Sequence, residues 1–125
     1  LPGVLDVRYP GLSAHPGREI HARQASGAGI LVSFRASSPE RAKRIVEETR
    51  LFTTAVSFGG VSSSISIPHH MSHASVPPGA ARPPEPDLVR LSIGLESEDD
   101  LFEDLARAIR ADEAARPPAV LGGAR

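Results

Sequence analysis

Three histidines, His69, His70 and His73, form an H-H-x-x-H cluster, and imidazoles one helical turn apart can share a metal ion. The cluster follows Pro68 in a proline-rich stretch, however, and no carboxylate lies within ten residues to complete a site. A polar loop contact is the competing reading, and no metal site is expected. Arg90 is a second chemical oddity. It stands in the middle of the apolar run Leu88–Ile93, where a guanidinium is costly unless an anion pairs with it. An internal partner such as Glu96 would satisfy it, and so would a ligand carboxylate held by two parallel hydrogen bonds. Asp99, Asp100, Glu103 and Asp104 crowd together; helix capping and the dipole account for the first two, and the others are expected to face water. Gly27-Ala28-Gly29 and Gly59-Gly60 are too short to cradle a phosphate and read as turns. Lys43 is the one lysine available for covalent chemistry, and it sits among charges on a helix face that should point to solvent.

The whole composition narrows the field. A chain of 125 residues supports one core and hardly two. With 40% hydrophobic and 23% charged residues and a net charge of −1, it reads as an ordinary globular domain without the basic surface that nucleic acid demands. No apolar run approaches the ~20 residues of a membrane span, and the first residues lack the charged-then-apolar order of a signal peptide. With no cysteine there is no disulfide, thiolate nucleophile or Cys-ligated zinc, which fits a reducing compartment.

Several elements must position these groups. Val4–Tyr9 alternates as a strand and stops at Pro10-Gly11. A helix with a thin apolar face is expected from Pro16 through Ile20 and Arg23 to Gly27. Gly29–Phe34 reads as a buried strand. Ser38-Pro39-Glu40 starts a second helix, with Ala42, Ile45, Val46 and Thr49 inward and Arg41, Lys43 and Arg44 outward. Phe52–Phe58 is expected to be extended. Val61–Ile67 alternates apolar residues with serine as a half-buried strand, Pro68–Pro86 is a loop by composition, and Leu88–Ile93 is the last strand. Ser97 caps a final helix whose inward face is Leu101, Phe102, Leu105 and Ile109. The order β-α-β-α-β-β-β-α gives an α+β fold, a small sandwich of one mainly antiparallel sheet with helices on one face. The folded domain is expected over residues 1–112, with 113–125 as a disordered tail rich in Pro, Gly and Ala.

Five ordered motifs add what spacing does not. They are Tyr9-Pro10-Gly11-Leu12 with His15-Pro16-Gly17, Gln24-Ala25-Ser26-Gly27-Ala28-Gly29, Ala55-Val56-Ser57-Phe58-Gly59-Gly60, Met71-Ser72-His73-Ala74-Ser75-Val76-Pro77, and Asp87 through Glu96. From Leu1 to about Ile109 the chain resembles the C-terminal region of the Cys/Met-metabolism enzymes that use pyridoxal phosphate. The wording is closest to the plant and fungal cystathionine β-lyase branch. The resemblance implies the C-terminal domain of a fold-type-I enzyme, in which Arg90 pairs with the α-carboxylate of an amino-acid substrate and Ser57 helps to hold it. Two departures stand out. Many members carry glutamate where this chain has Ser62, which argues mildly against γ-lyase preference, and the Pro78–Pro86 connection looks short and proline-rich.

The implied function is that of the C-terminal portion of a carbon–sulfur lyase that releases homocysteine, pyruvate and ammonia from cystathionine. Cystathionine γ-lyase, γ-synthase or homoserine sulfhydrylase remains the alternative within the family, and a truncated, non-catalytic interaction module the alternative outside it. Pyridoxal phosphate would be bound mainly by a preceding larger domain, because no residue here fits the Schiff-base lysine. This chain is therefore expected to hold no catalytic residue and to be inactive alone, and its leucine start points to a piece of a longer product. The resemblance further implies a homotetramer, a small-molecule substrate with neither nucleic acid nor membrane as partner, and a cytoplasmic enzyme, or a plastid one where a targeting segment lies upstream.

Overall fold

The computed structural model describes residues 1–72 and 84–114. In chain order the elements are β1 (Val4–Arg8), α1 (Arg18–Gln24), β2 (Leu31–Ala36), α2 (Pro39–Glu48), β3 (Thr53–Thr54), β4 (Ser64–Ser66), α3 (Pro68–Ser72), β5 (Leu88–Ser92) and α4 (Glu98–Ala114). They build one five-stranded sheet in the order β1-β2-β5-β4-β3. All neighbours are antiparallel except β3 and β4. This is the expected α+β architecture.

Period-two alternation divides the two faces of the sheet. Phe34 and Ala36 of β2, Ile65 of β4, and Val89 and Leu91 of β5 point one way and are buried. Ala42 and Ile45 of α2 and Leu101 and Ile109 of α4 close over that face as one core. Alpha-2 starts where expected: the Ser38 hydroxyl accepts from Arg41 N–H at 3.2 Å, and proline takes the first helical position. The opposite face carries Arg8, Arg35 and Arg90.

The structure corrects several expectations. Pro68–Ser72 is a short helix rather than loop, since proline at a first helical position loses no hydrogen bond. Arg41 does not face water: α4 packs on its flank of α2, and its Nη2 donates to the Ile109 carbonyl at 3.3 Å. Asp104 is likewise buried, because the chain leaving α2 crosses α4 and donates the Arg50 and Leu51 N–H groups to its carboxylate. Phe102 and Val61, expected inward, are exposed. The extended segment after Phe52 pairs only at Thr53–Thr54 before it leaves the sheet edge. Most of the expected loop (residues 73–83) and of the expected tail (115–125) lies outside the described residues.

Glu85 receives two hydrogen bonds from the Arg8 guanidinium, at 2.8 and 3.2 Å, and that contact pulls its carboxyl down to about 2 from 4.5. A depressed carboxyl stabilises the fold above its unfolded value and loses that contribution as pH falls through its folded value. Both partners are partly exposed, so water screens the pair to under about 1 kcal/mol. Acid titration followed by circular dichroism should show this small loss between pH 4.5 and 2. Glu85→Gln should abolish that part of the pH dependence, and an unchanged acid limb would show the pair to be inert.

Candidate functional site

Arg90 alternates away from Val89 and Leu91 and emerges on the face opposite α2 and α4, in register with Ser33 of β2 and Ser66 of β4. It is half-buried on a polar row rather than embedded in the core. The desolvation argument made from its apolar neighbours is therefore replaced by a simpler one. Arg8 and Arg35, on the same face, are matched by carboxylates: Asp6 at 3.0 Å and Glu85 at 2.8 Å for the first, Asp87 at 2.7 Å for the second. Arg90 has no carboxylate partner among the described residues. Its Nη2 donates to the Val56 carbonyl at 2.9 Å, and the guanidinium carbon lies 5.0 Å from the centre of the Phe58 ring. The other donors of its fork remain for an incoming anion.

Glu96, the internal partner considered for Arg90, is engaged elsewhere. One carboxylate oxygen accepts from Ser63 N–H and the other from Ser63 Oγ, both at 2.8 Å. The Ser63 backbone N–H is the leading reason that the Glu96 carboxyl is held below its ordinary value. Glu96 is thus not a partner of Arg90.

The segment 56–58 that meets Arg90 is the one carrying Ser57. Ser57 is exposed, its carbonyl accepts from Ser64 Oγ at 3.2 Å, and its hydroxyl makes no hydrogen bond among the described residues. With Thr53, Phe58, Ser62 and Ser64 it lines a shallow cleft of about 200 Å³. The turn beyond needs Gly59, whose φ is +85°, and its N–H donates to Ser92 Oγ at 3.0 Å. Both sequence-derived site residues therefore meet at one loop. Sequence reading missed the Phe58 ring over Arg90 and the Glu96–Ser63 contact. The side of the sheet on which Arg90 falls was legible in the alternation of Val89 and Leu91 with Arg90 and Ser92.

His69 Nδ1 donates to the Pro84 carbonyl at 3.0 Å, and its ring meets that of His70 edge-on at 5.9 Å. His73, the third member of the suspected metal cluster, lies outside the described residues. Among the described residues no three His, Asp or Glu side chains converge on a metal-sized site. Lys43 is exposed on α2, 3.8 Å from Glu47, on the other side of the sheet from Arg90.

The five-stranded sheet that carries Arg90 and the Ser57 loop places the chain, by its solved neighbours, in the fold-type-I pyridoxal-phosphate class. The sequence model for Cys/Met metabolism PLP-dependent enzymes matches residues 1–110, and the chain belongs to that family. It is 49% identical over 110 residues to the chloroplastic cystathionine beta-lyase of Mimosa pudica, covering 86% of this chain and 24% of that protein. It is 47% identical over 109 residues to the cystathionine gamma-synthase of Mycobacterium tuberculosis, covering 86% and 28%. The crystal structure of metB from Corynebacterium glutamicum superposes with a TM-score of 0.82 at 39% identity, over 89% of this chain and 29% of that one. The chain thus spans about a quarter of the length of the curated relatives it matches.

The residues described here do not fit the Schiff-base end of pyridoxal phosphate. The only lysine, Lys43, is exposed and lies behind the sheet from the candidate site.

Proposed function

We propose that this chain is the small C-terminal domain of a pyridoxal-phosphate-dependent cystathionine β-lyase and that it holds the substrate's α-carboxylate through Arg90 and Ser57. The observation that carries this is the open guanidinium: of the three arginines on its face, Arg90 alone lacks a carboxylate among the described residues. Val56 and Phe58 hold its plane, so a carboxylate meets a fork already oriented, and the Ser57 hydroxyl can donate to the same group. That contribution is positioning. The cofactor, its lysine and the bond-breaking groups come from the rest of the full-length polypeptide.

The substrate reading follows the cystathionine beta-lyases at 44–49% identity, including those of Arabidopsis thaliana and Bacillus subtilis. A γ-acting relative is the second reading, favoured by the gamma-synthase match. The full-length enzyme is read as a homotetramer acting on a small amino acid, cytoplasmic, or plastidic where a targeting segment precedes this region.

Full-length protein incubated with cystathionine should release homocysteine, pyruvate and ammonia. Release of cysteine and 2-oxobutyrate instead would replace the β-lyase reading with a γ-lyase one. Mixed with pyridoxal phosphate, the 125-residue chain alone should show no Schiff-base absorbance band and no lyase activity. A band abolished by Lys43→Ala would overturn the division of labour proposed here.

A further inference from the structure

The loop that carries Ser57 is not held by burial. Val56, Phe58 and Val61 are 66%, 58% and 72% exposed, so packing does little to fix residues 56–62. Hydrogen bonds to β5 and its exit hold them instead. Val56 accepts from Arg90, Gly59 N–H donates to Ser92 Oγ, and Val61 accepts from Leu95 N–H at 2.8 Å. At the far end, fully buried Ser63 is gripped from three sides: both Glu96 oxygens accept from it, and its Oγ accepts from Gly94 N–H at 2.9 Å. Gly94 must be glycine for this approach, since a Cβ there would collide with the Val61 carbonyl oxygen and the Ser62 carbonyl carbon. The Arg90–Val56 bond and the Glu96 grip are the charge-assisted contacts, roughly twice as strong as neutral ones, and the grip supplies two of them at once.

We infer that Glu96 is the positioning residue of the carboxylate-binding loop: by gripping Ser63 it sets where Ser57 stands relative to Arg90. The inference rests on the carboxylate-holding role proposed for those two residues. Glu96 touches no substrate in this scheme and acts only through the loop.

The test uses the full-length enzyme loaded with cofactor, with two independent readouts. In Glu96→Ala, KM for cystathionine should rise roughly tenfold while kcat stays within about twofold, the signature of weakened uniform binding. Glu96→Gln, which keeps one acceptor, should recover part of the loss. Adding Ser63→Ala to Glu96→Ala should cost less than the sum of the two single substitutions, because they share the Oγ–carboxylate bond and the double variant loses in addition only the Gly94 N–H bond to Oγ. Hydrogen–deuterium exchange should accelerate in peptides covering 56–63 and stay unchanged in those covering 31–36.

A purely structural role would lower the melting temperature with KM unmoved, and that result overturns the inference. If Arg90→Lys impairs turnover while Glu96→Ala leaves KM and loop exchange unchanged, the positioning role fails and the carboxylate anchor stands. If Arg90→Lys has no kinetic effect, the anchor is wrong, and faster loop exchange in Glu96→Ala would still support the grip whereas unchanged exchange would overturn it. Should Glu96→Ala not fold, Glu96→Gln and Ser63→Ala supply the same readouts.

Discussion

Replacing Arg90 by lysine is expected to lower kcat/KM of the full-length enzyme roughly 30- to 1000-fold, equivalent to about 2–4 kcal/mol of charge-assisted bidentate contact. Lysine keeps the charge but offers a single point where the guanidinium offers a planar fork. It also cannot donate to Val56 and a carboxylate with the same in-plane geometry. Cofactor content and melting temperature should change little, because Arg90 lies on the polar face and supports none of the buried core. Steady-state kinetics together with a thermal melt decide the matter. Normal turnover by a destabilised variant would make Arg90 a structural residue and send the search for the anchor elsewhere.

The largest effect on stability is expected at Asp104, where Asp104→Ala should cost about 3–5 kcal/mol. One Asp104 oxygen accepts from both Arg50 N–H and Leu51 N–H at 2.8 Å, and the other accepts from Arg107 Nη2 at 2.7 Å. The carboxylate thereby ties the chain leaving α2 to the middle of α4. Removing it orphans two backbone donors and leaves Arg107, among the described residues, with Glu48 alone. Burial alone would raise the Asp104 carboxyl, but the bonds from Leu51, Arg107 and Arg50 outweigh it and the net displacement is downward. Its stabilisation is therefore full above the unfolded value near 4 and is lost as pH falls through the lower folded value. Urea denaturation at pH 7 and pH 3 should show a wide gap between wild type and Asp104→Ala at the first and a narrower one at the second. An equal gap at both would mean that the carboxylate's charge contributes nothing.

Asp104 also shows where sequence reading stops. From periodicity it belongs beside Glu103 on a wet face, and Glu103 does lie there. Asp104 is buried only because the connection after α2 returns across α4, a contact between residues more than fifty positions apart that helical spacing does not encode. Arg41 escaped for the same reason, since its flank of α2 is covered by α4. Phe102 went the other way: its helix is amphipathic, but the covered arc ends before it reaches that side chain.

Local rules did place most of the frame. Ser38-Pro39 at a helix start, the short apolar run of β2, and the alternation of β5 are each set by neighbours in sequence, so length, polarity and capping sufficed. Arg90 and Ser57, the residues proposed to hold a carboxylate, were singled out from motifs in the sequence, and the fold brings the Ser57 segment to Arg90. What tertiary structure alone decided was the state of the charges. The antiparallel register sets Arg8 and Arg35 beside their carboxylates, turns Glu96 toward Ser63, and leaves Arg90 facing out beneath Phe58. Sequence determines which groups are present and which side of a strand they take. Only the packed sheet determines which opposite charges come within reach, because hydrogen bonds and ion pairs act over a few ångströms between segments far apart in the chain.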